Sequence, residues 1–270
     1  MTPAFVLLLS LSLSAVSARA VNNEAQTKES ELTDLLQTEH HSDVFENIER
    51  ANNGTHMRLV QGDILKSISR NADFCTALGC KWEKVEGTVT VPVTLAWHQY
   101  NNQELRTISE ALLSFHTRTC IRFKLRTNQR DYLRIFSGDG CYSYVGRQHR
   151  PQELSISRRG CVNKGTVQHE LLHALGFHHE QARSDRDQYV NINWGNIEQG
   201  AKSQFQKERT NNLGTRYDYN SIMHYSRYAF SRNGRPTITA KGDPGRVIGA
   251  ADEMSDLDFQ RVNELYGCPQ

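Results

Sequence analysis

Residues 169–179 read His-Glu-Leu-Leu-His-Ala-Leu-Gly-Phe-His-His, and no other stretch of this 270-residue chain constrains it as tightly. His169 and His173 are four apart, so on a helix they share one face, one turn apart. Two imidazoles at that spacing can bind one zinc ion, and Glu170 beside them can take a proton from an attacking water. Gly176 lets the helix end in a sharp turn, because glycine tolerates left-handed backbone angles. That turn swings His179 back as a third nitrogen ligand. Three protein ligands leave a position open, which is a catalytic rather than a structural arrangement. The full pattern H-E-x-x-H-x-x-G-x-x-H fixes five positions and arises by chance on the order of 10⁻⁷ per starting residue at ordinary residue frequencies. His178, one residue before a ligand, points elsewhere on this reading.

A second element is centred on Met223, 44 residues beyond His179, where Ser221-Ile222-Met223-His224-Tyr225 interrupts a stretch without clear periodicity. Metzincin-type zinc sites carry a methionine turn downstream of their histidines. Met223 is read as packing beneath the metal, and the Tyr225 phenol as reaching the zinc or the oxyanion formed when water attacks a peptide carbonyl.

The remaining chain supplies context. Phe5 to Leu13 is apolar apart from Ser10 and Ser12, and Ala18-Arg19-Ala20 follows as an A-x-A cleavage site. Residues 1–20 therefore read as a secretory signal peptide, and no later segment is apolar enough to span a membrane. The expected location is extracellular, with storage in secretory granules on the way. Residues 1–70 hold 6 Lys/Arg against 9 Asp/Glu, and residues 71–270 hold 26 against 21. An acidic front and a mildly basic remainder suggest two parts with different tasks, and neither is basic enough for a nucleic-acid partner. Residues 21–56 are polar and read as weakly folded, with Asn53-Gly54-Thr55 as the only glycosylation sequon, a candidate at Asn53. Lys66 to Arg70 offers basic cleavage points. Cysteines begin only afterwards, at Cys75, Cys80, Cys120, Cys141, Cys161 and Cys268. Six in a secreted chain mean three disulfides, and spacing alone leaves fifteen connectivities open.

Alternating or β-branched runs predict strands at 88–95, 121–125, 132–136 and 154–157, and helical spacing predicts helices at 102–117 and 165–175. The stretch 211–250 reads as irregular. Ser255 caps a last helix that ends near Tyr266 before Gly267.

With these motifs the chain resembles the astacin family of metalloproteases over essentially all of residues 71–270. The likeness runs through 169–180, Arg183-Ser184-Asp185-Arg186-Asp187 and 221–225, and extends to Cys120-Ile121-Arg122-Phe123 and residues 140–146. The resemblance implies an α+β fold: a two-lobed metzincin catalytic domain with zinc at the floor of the cleft between the lobes. It implies one zinc ion held by His169, His173 and His179, Glu170 as general base, and Tyr225 as a movable ligand that stabilises the transition state. It also implies that Glu180 meets the buried new N-terminus of the mature enzyme. Gln61-Gly62-Asp63-Ile64 is similar to the family's inhibitory motif, in which the aspartate, here Asp63, blocks the zinc. The implied organisation is a signal peptide at 1–20, an inhibitory pro-segment at 21–70 and a catalytic domain at 71–270, with an activating protease cutting near Arg70-Asn71. The implied disulfides are Cys120–Cys268 and Cys141–Cys161, leaving Cys75–Cys80, a pattern like that of the six-cysteine hatching-enzyme (choriolysin) subgroup. The expected product is a monomeric, secreted zinc endopeptidase acting on extracellular protein, with egg-envelope protein as one candidate substrate. Glu170 and Tyr225 are both present, which weighs against a catalytically silent binding protein.

Overall fold

The computed structural model describes residues 43–66 and 80–269. A twisted sheet carries two long helices, followed by a less regular second half.

The sheet begins with two short strands from the front of the chain, β1 (Leu59–Val60) and β2 (Ile64–Leu65). It continues through β3 (Lys84–Val85), β4 (Thr88–Leu95), β5 (Ile121–Leu125), β6 (Tyr132–Phe136), β7 (Cys141–Ser143) and β8 (Pro151–Ile156). Spatially the order is β1-β2-β7-β8-β6-β4-β3, with β5 on the far side of β4. β4, β5, β6 and β8 are parallel neighbours, and β7 runs antiparallel to β8. Val89, Val91, Val93 and Leu95 alternate into the core from β4, which is the period-2 pattern of its β-branched sequence.

Four helices are described: α1 (Val44–Asn52), α2 (Asn102–Arg118), α3 (Lys164–Leu175) and α4 (Asp256–Tyr266). Asn101 and Glu104 close a capping box on α2, and Ser255 and Asp258 do the same for α4. Helix α3 is buried all round, with Asn163 as its N-cap, so it is a core element rather than a surface amphipath. The main core lies between the sheet and α2, α3 and α4, and includes Val91, Ile108, Phe115, Ile135, Leu171 and Phe259. A second, smaller core gathers around Phe205, Tyr217, Tyr225, Ile238 and Ile248. It is built from turns, short 3-10 segments and the ribbon of β9 (Val190–Ile192) with β10 (Ile238–Ala240).

Cys120 is bonded to Cys268 and Cys141 to Cys161. The Cys75–Cys80 pairing lies outside the described residues because Cys75 does, as do residues 1–42 with the signal-peptide reading and the Arg70-Asn71 bond. No helix among the described residues is long and apolar enough to cross a membrane.

Two sequence expectations need correction. Residues 43–52 are not weakly folded. Asp43 caps α1 by accepting the Glu46 N–H at 2.6 Å, and Val44, Phe45 and Ile48 are buried. The signature was present, an N-cap aspartate followed by an apolar stripe, but short and set in polar sequence. The irregular reading of 211–250 misses β10, whose three residues are too few to show a period.

Candidate metal centre and active site

Helix α3 presents His169 and His173 one turn apart, with ring centroids 4.7 Å from each other. The helix stops at Gly176, which adopts φ +109°, and Phe177 N–H closes the end by donating to the Leu172 carbonyl. The chain then doubles back, and His179 comes within 4.7 Å of His173 and 5.1 Å of His169, ring centre to ring centre. All three imidazoles are fully buried.

Each ring is turned the same way. His169 Nδ1 faces the Ile222 carbonyl at 2.8 Å, and His173 Nδ1 faces the Phe177 carbonyl at 2.7 Å. His179 Nδ1 faces the Gln61 side-chain oxygen at 3.1 Å. A carbonyl oxygen only accepts, so each Nδ1 carries the proton and each Nε2 is a bare lone pair. Burial reinforces this, pushing His173 below the usual histidine range and His179 down to about 3.

The three Nε2 atoms converge on Asp63. Its Oδ2 lies 2.9 Å from His169 Nε2 and 3.3 Å from His179 Nε2, and its Oδ1 lies 3.4 Å from His173 Nε2. These four ligand atoms lie within 4.8 Å of one another. His173 Nε2 and Asp63 Oδ1 have no hydrogen-bond partner. Three lone pairs and a carboxylate facing one another in a dry site, with no donor among them, fit a single zinc cation with N₃O ligation.

Glu170 follows His169 on α3, and both of its carboxylate oxygens are buried without a partner. Burial, and then the negative charge of Asp63, hold its carboxyl well above the usual range. Tyr225 is fully buried beside His179, ring centroids 4.8 Å apart, and its OH donates to the Gln61 carbonyl at 2.6 Å.

The Met-turn supports the histidines from below. Its tight bend is closed by His224 N–H donating to Ser221 O, and it offers the Ile222 carbonyl to His169. Asp258 of α4 holds the turn by accepting from Ser221 Oγ at 2.6 Å and Ile222 N at 3.0 Å. Met223 is buried in the main core. Glu180 lies behind His179 in a buried ion pair, its oxygens 2.7 and 2.8 Å from Arg261 and one of them 2.7 Å from the Asp218 N–H. A small pocket opens beside it, lined by His178, Arg183, Leu213 and Arg261 among others. Asn71, the residue Glu180 was expected to meet once released as an N-terminus, lies outside the described residues. Asn53 is exposed at the end of α1.

Sequence reasoning missed three front-segment residues. Phe45 stacks on Tyr225 with ring centroids 3.8 Å apart. Gln61 bridges His179 and Glu208, the latter at 2.7 Å. Asn52 clasps the Gly62 carbonyl and both backbone groups of Cys141. Phe45 left a trace as an aromatic residue in the Asp43-capped stripe, and Gln61 as the first residue of the motif around Asp63, but neither showed its contacts.

Comparison with known proteins decides the lineage. The sequence profile of the astacin peptidase family matches residues 81–267. This chain belongs to the astacin family. Among its astacin-like relatives, high choriolytic enzyme 1 of Oryzias latipes is 47% identical over 228 residues, 84% of each chain. Low choriolytic enzyme of the same fish is 42% identical over 266 residues, 97% of each chain. Zinc metalloproteinase nas-13 of Caenorhabditis elegans is 43% identical over 75% of this chain and 44% of its own. The solved structure of high choriolytic enzyme 1, a hatching enzyme zinc-protease, superposes with a TM-score of 0.68 at 49% identity, covering 70% of this chain and 96% of that one. Myroilysin, at 18% identity and a TM-score of 0.52, shares the fold. The chain is thus an astacin-family zinc metalloendopeptidase with an α+β metzincin fold.

Proposed function

We propose that this astacin-family chain is a secreted zymogen that cuts internal peptide bonds of extracellular protein once its front segment is removed. The observation that carries the reading is Asp63, a front-segment carboxylate seated among the three histidine Nε2 atoms. His169, His173 and His179 would hold the zinc, which supplies Lewis acidity toward the scissile carbonyl when bound. In the latent chain the Asp63 carboxylate occupies the place the attacking water needs.

Release of residues 21–70 by cleavage near Arg70-Asn71 opens that place. Glu170, buried and unpartnered, then accepts the proton of the attacking water and passes it to the leaving amine. Tyr225, freed from the Gln61 carbonyl, turns its OH to the oxyanion. Met223 floors the site, and Glu180 receives the new N-terminus beside the cavity that adjoins it. The similarity to enzymes named choriolytic supports egg-envelope protein as the substrate, met outside the cell by a monomer released from secretory granules.

The test expresses residues 21–270, trims the protein with limited trypsin, sequences the new N-terminus and measures casein cleavage. Activity that appears only after trimming near Asn71, and that a chelator abolishes, is the expected result. Asp63→Ala should raise the activity of the untrimmed chain. A fully active untrimmed wild-type protein would refute the zymogen reading.

A further inference from the structure

Phe45 projects from α1 into the second core, otherwise formed by residues beyond 189, and is 1% exposed. Its ring stacks on Tyr225 at 3.8 Å and an interplanar angle of 26°, stands edge-on to His179 at 5.7 Å, and tilts against Phe230 at 5.9 Å. The backbone that carries Asp63 passes hard against it, since a Cβ at Gly62 would lie 3.1 Å from Phe45 Cζ. One aromatic side chain thus fills a pocket that touches both a histidine of the metal cluster and the tyrosine of the reaction.

Two of its walls, Phe205 and Phe230, are also anchored to residues outside the front segment. The Phe205 ring stands edge-on to Tyr225 at 5.6 Å and to Phe230 at 6.0 Å, and its carbonyl accepts from Arg186 Nη1 at 2.6 Å. Phe230 O accepts from Glu198 N–H at 3.0 Å, and Ile197 bridges Ser231 next to it. From the front segment Phe230 receives one hydrogen bond, its N–H donating to Glu49 at 2.9 Å. Departure of the front segment would vacate the volume of one aromatic side chain between the Phe205 and Phe230 rings and His179.

A peptide whose carbonyl lies at the Tyr225 hydroxyl has its next side chain only about 4 Å along the backbone, within reach of that volume. We infer that the pocket vacated by Phe45 is a substrate subsite, which takes a bulky apolar or aromatic side chain adjacent to the scissile bond. Phe230 is its specificity-determining wall, with Phe205 behind it. The inference rests on the peptidase reading and on loss of the front segment, and adds the class of residue the enzyme selects.

The test uses the full chain trimmed with trypsin, and a peptide library varied at the two positions flanking the cut. At one of them Phe, Tyr and Leu should exceed Gly and Asp in kcat/KM by about 10-fold or more, the scale on which a buried apolar contact discriminates. Phe230→Ala should shrink that ratio at the same position and leave the ratios at the other unchanged. Phe230→Leu, which keeps the site filled but removes the ring, should lower Phe and Tyr relative to Leu, and it serves if the alanine variant does not fold. An enzyme that cleaves casein but prefers small or acidic residues at both positions, or whose aromatic preference survives both substitutions, overturns the subsite alone. Failure to cleave casein or any library member overturns the peptidase reading and the subsite with it.

Discussion

At the scale of single residues, the site is organised by what each histidine does with the nitrogen that faces away from the cluster. Ile222, Phe177 and Gln61 take the three Nδ1 protons, so the Nε2 lone pairs are aimed before any cation arrives. Glu170 contributes nothing to that arrangement, since neither of its oxygens has a partner. Glu170→Ala should therefore keep zinc at one per chain by elemental analysis while lowering kcat of the trimmed enzyme by roughly 10²–10⁴, the range for loss of a general base. Tyr225→Phe keeps the ring packing and removes only the donor, so kcat should fall by roughly 10²–10³ with KM little changed. The residues of this cluster were legible in unequal measure. His169, Glu170, His173 and Gly176 follow from helix geometry, and Tyr225 from resemblance. Gln61 was legible only as the first residue of the motif around Asp63, and its contacts were not, because His179 and Glu208 are over 100 positions away in sequence.

At the scale of elements, α1 is the least obvious part of the molecule and the one with the clearest dependence on pH. Glu49 is pushed up to about 7, first by burial and further by Glu198, Asp43 and Glu46, against the lowering hydrogen bond from Phe230 N–H. Asp43 is pushed up to about 6, chiefly by burial. A carboxyl raised in the docked state binds its proton more tightly there than when free. It therefore favours docking fully below its ordinary range, and that contribution is lost as pH rises through the raised value. Hydrogen-exchange protection of α1 in the untrimmed protein should thus fall between about pH 4 and 7. Glu49→Gln, which keeps an acceptor for Phe230, should flatten most of that fall. Protection that is constant or rises over this interval would contradict the assignment. The strands of the sheet were readable where they were long: β4 shows its alternation over eight residues, whereas β7, β9 and β10 have three each and show none.

At the scale of the whole molecule, distant parts of the chain are held at few points. Cys120 and Cys268 close a span of 148 residues that reaches the end of α4, and Asp258 on the same helix fixes the Met-turn. Replacing both cysteines by alanine should lower unfolding free energy by roughly 2–5 kcal/mol, measured by denaturant titration of the untrimmed protein. The order of the main helices and strands could be read from periodicity and caps, and the α+β class from the family resemblance. The meeting of front segment, sheet and second core could not, since no local pattern encodes which surfaces touch. One such meeting is the pairing of β2 alongside β7, where Ile64 aligns with Ser143 and Ser143 N–H donates to the Asp63 carbonyl. An unpaired strand at a sheet margin invites strands of neighbouring molecules to join it. While β2 is in place, the margin of the sheet passes from β7 to the two residues of β1, a shorter template for any neighbouring strand.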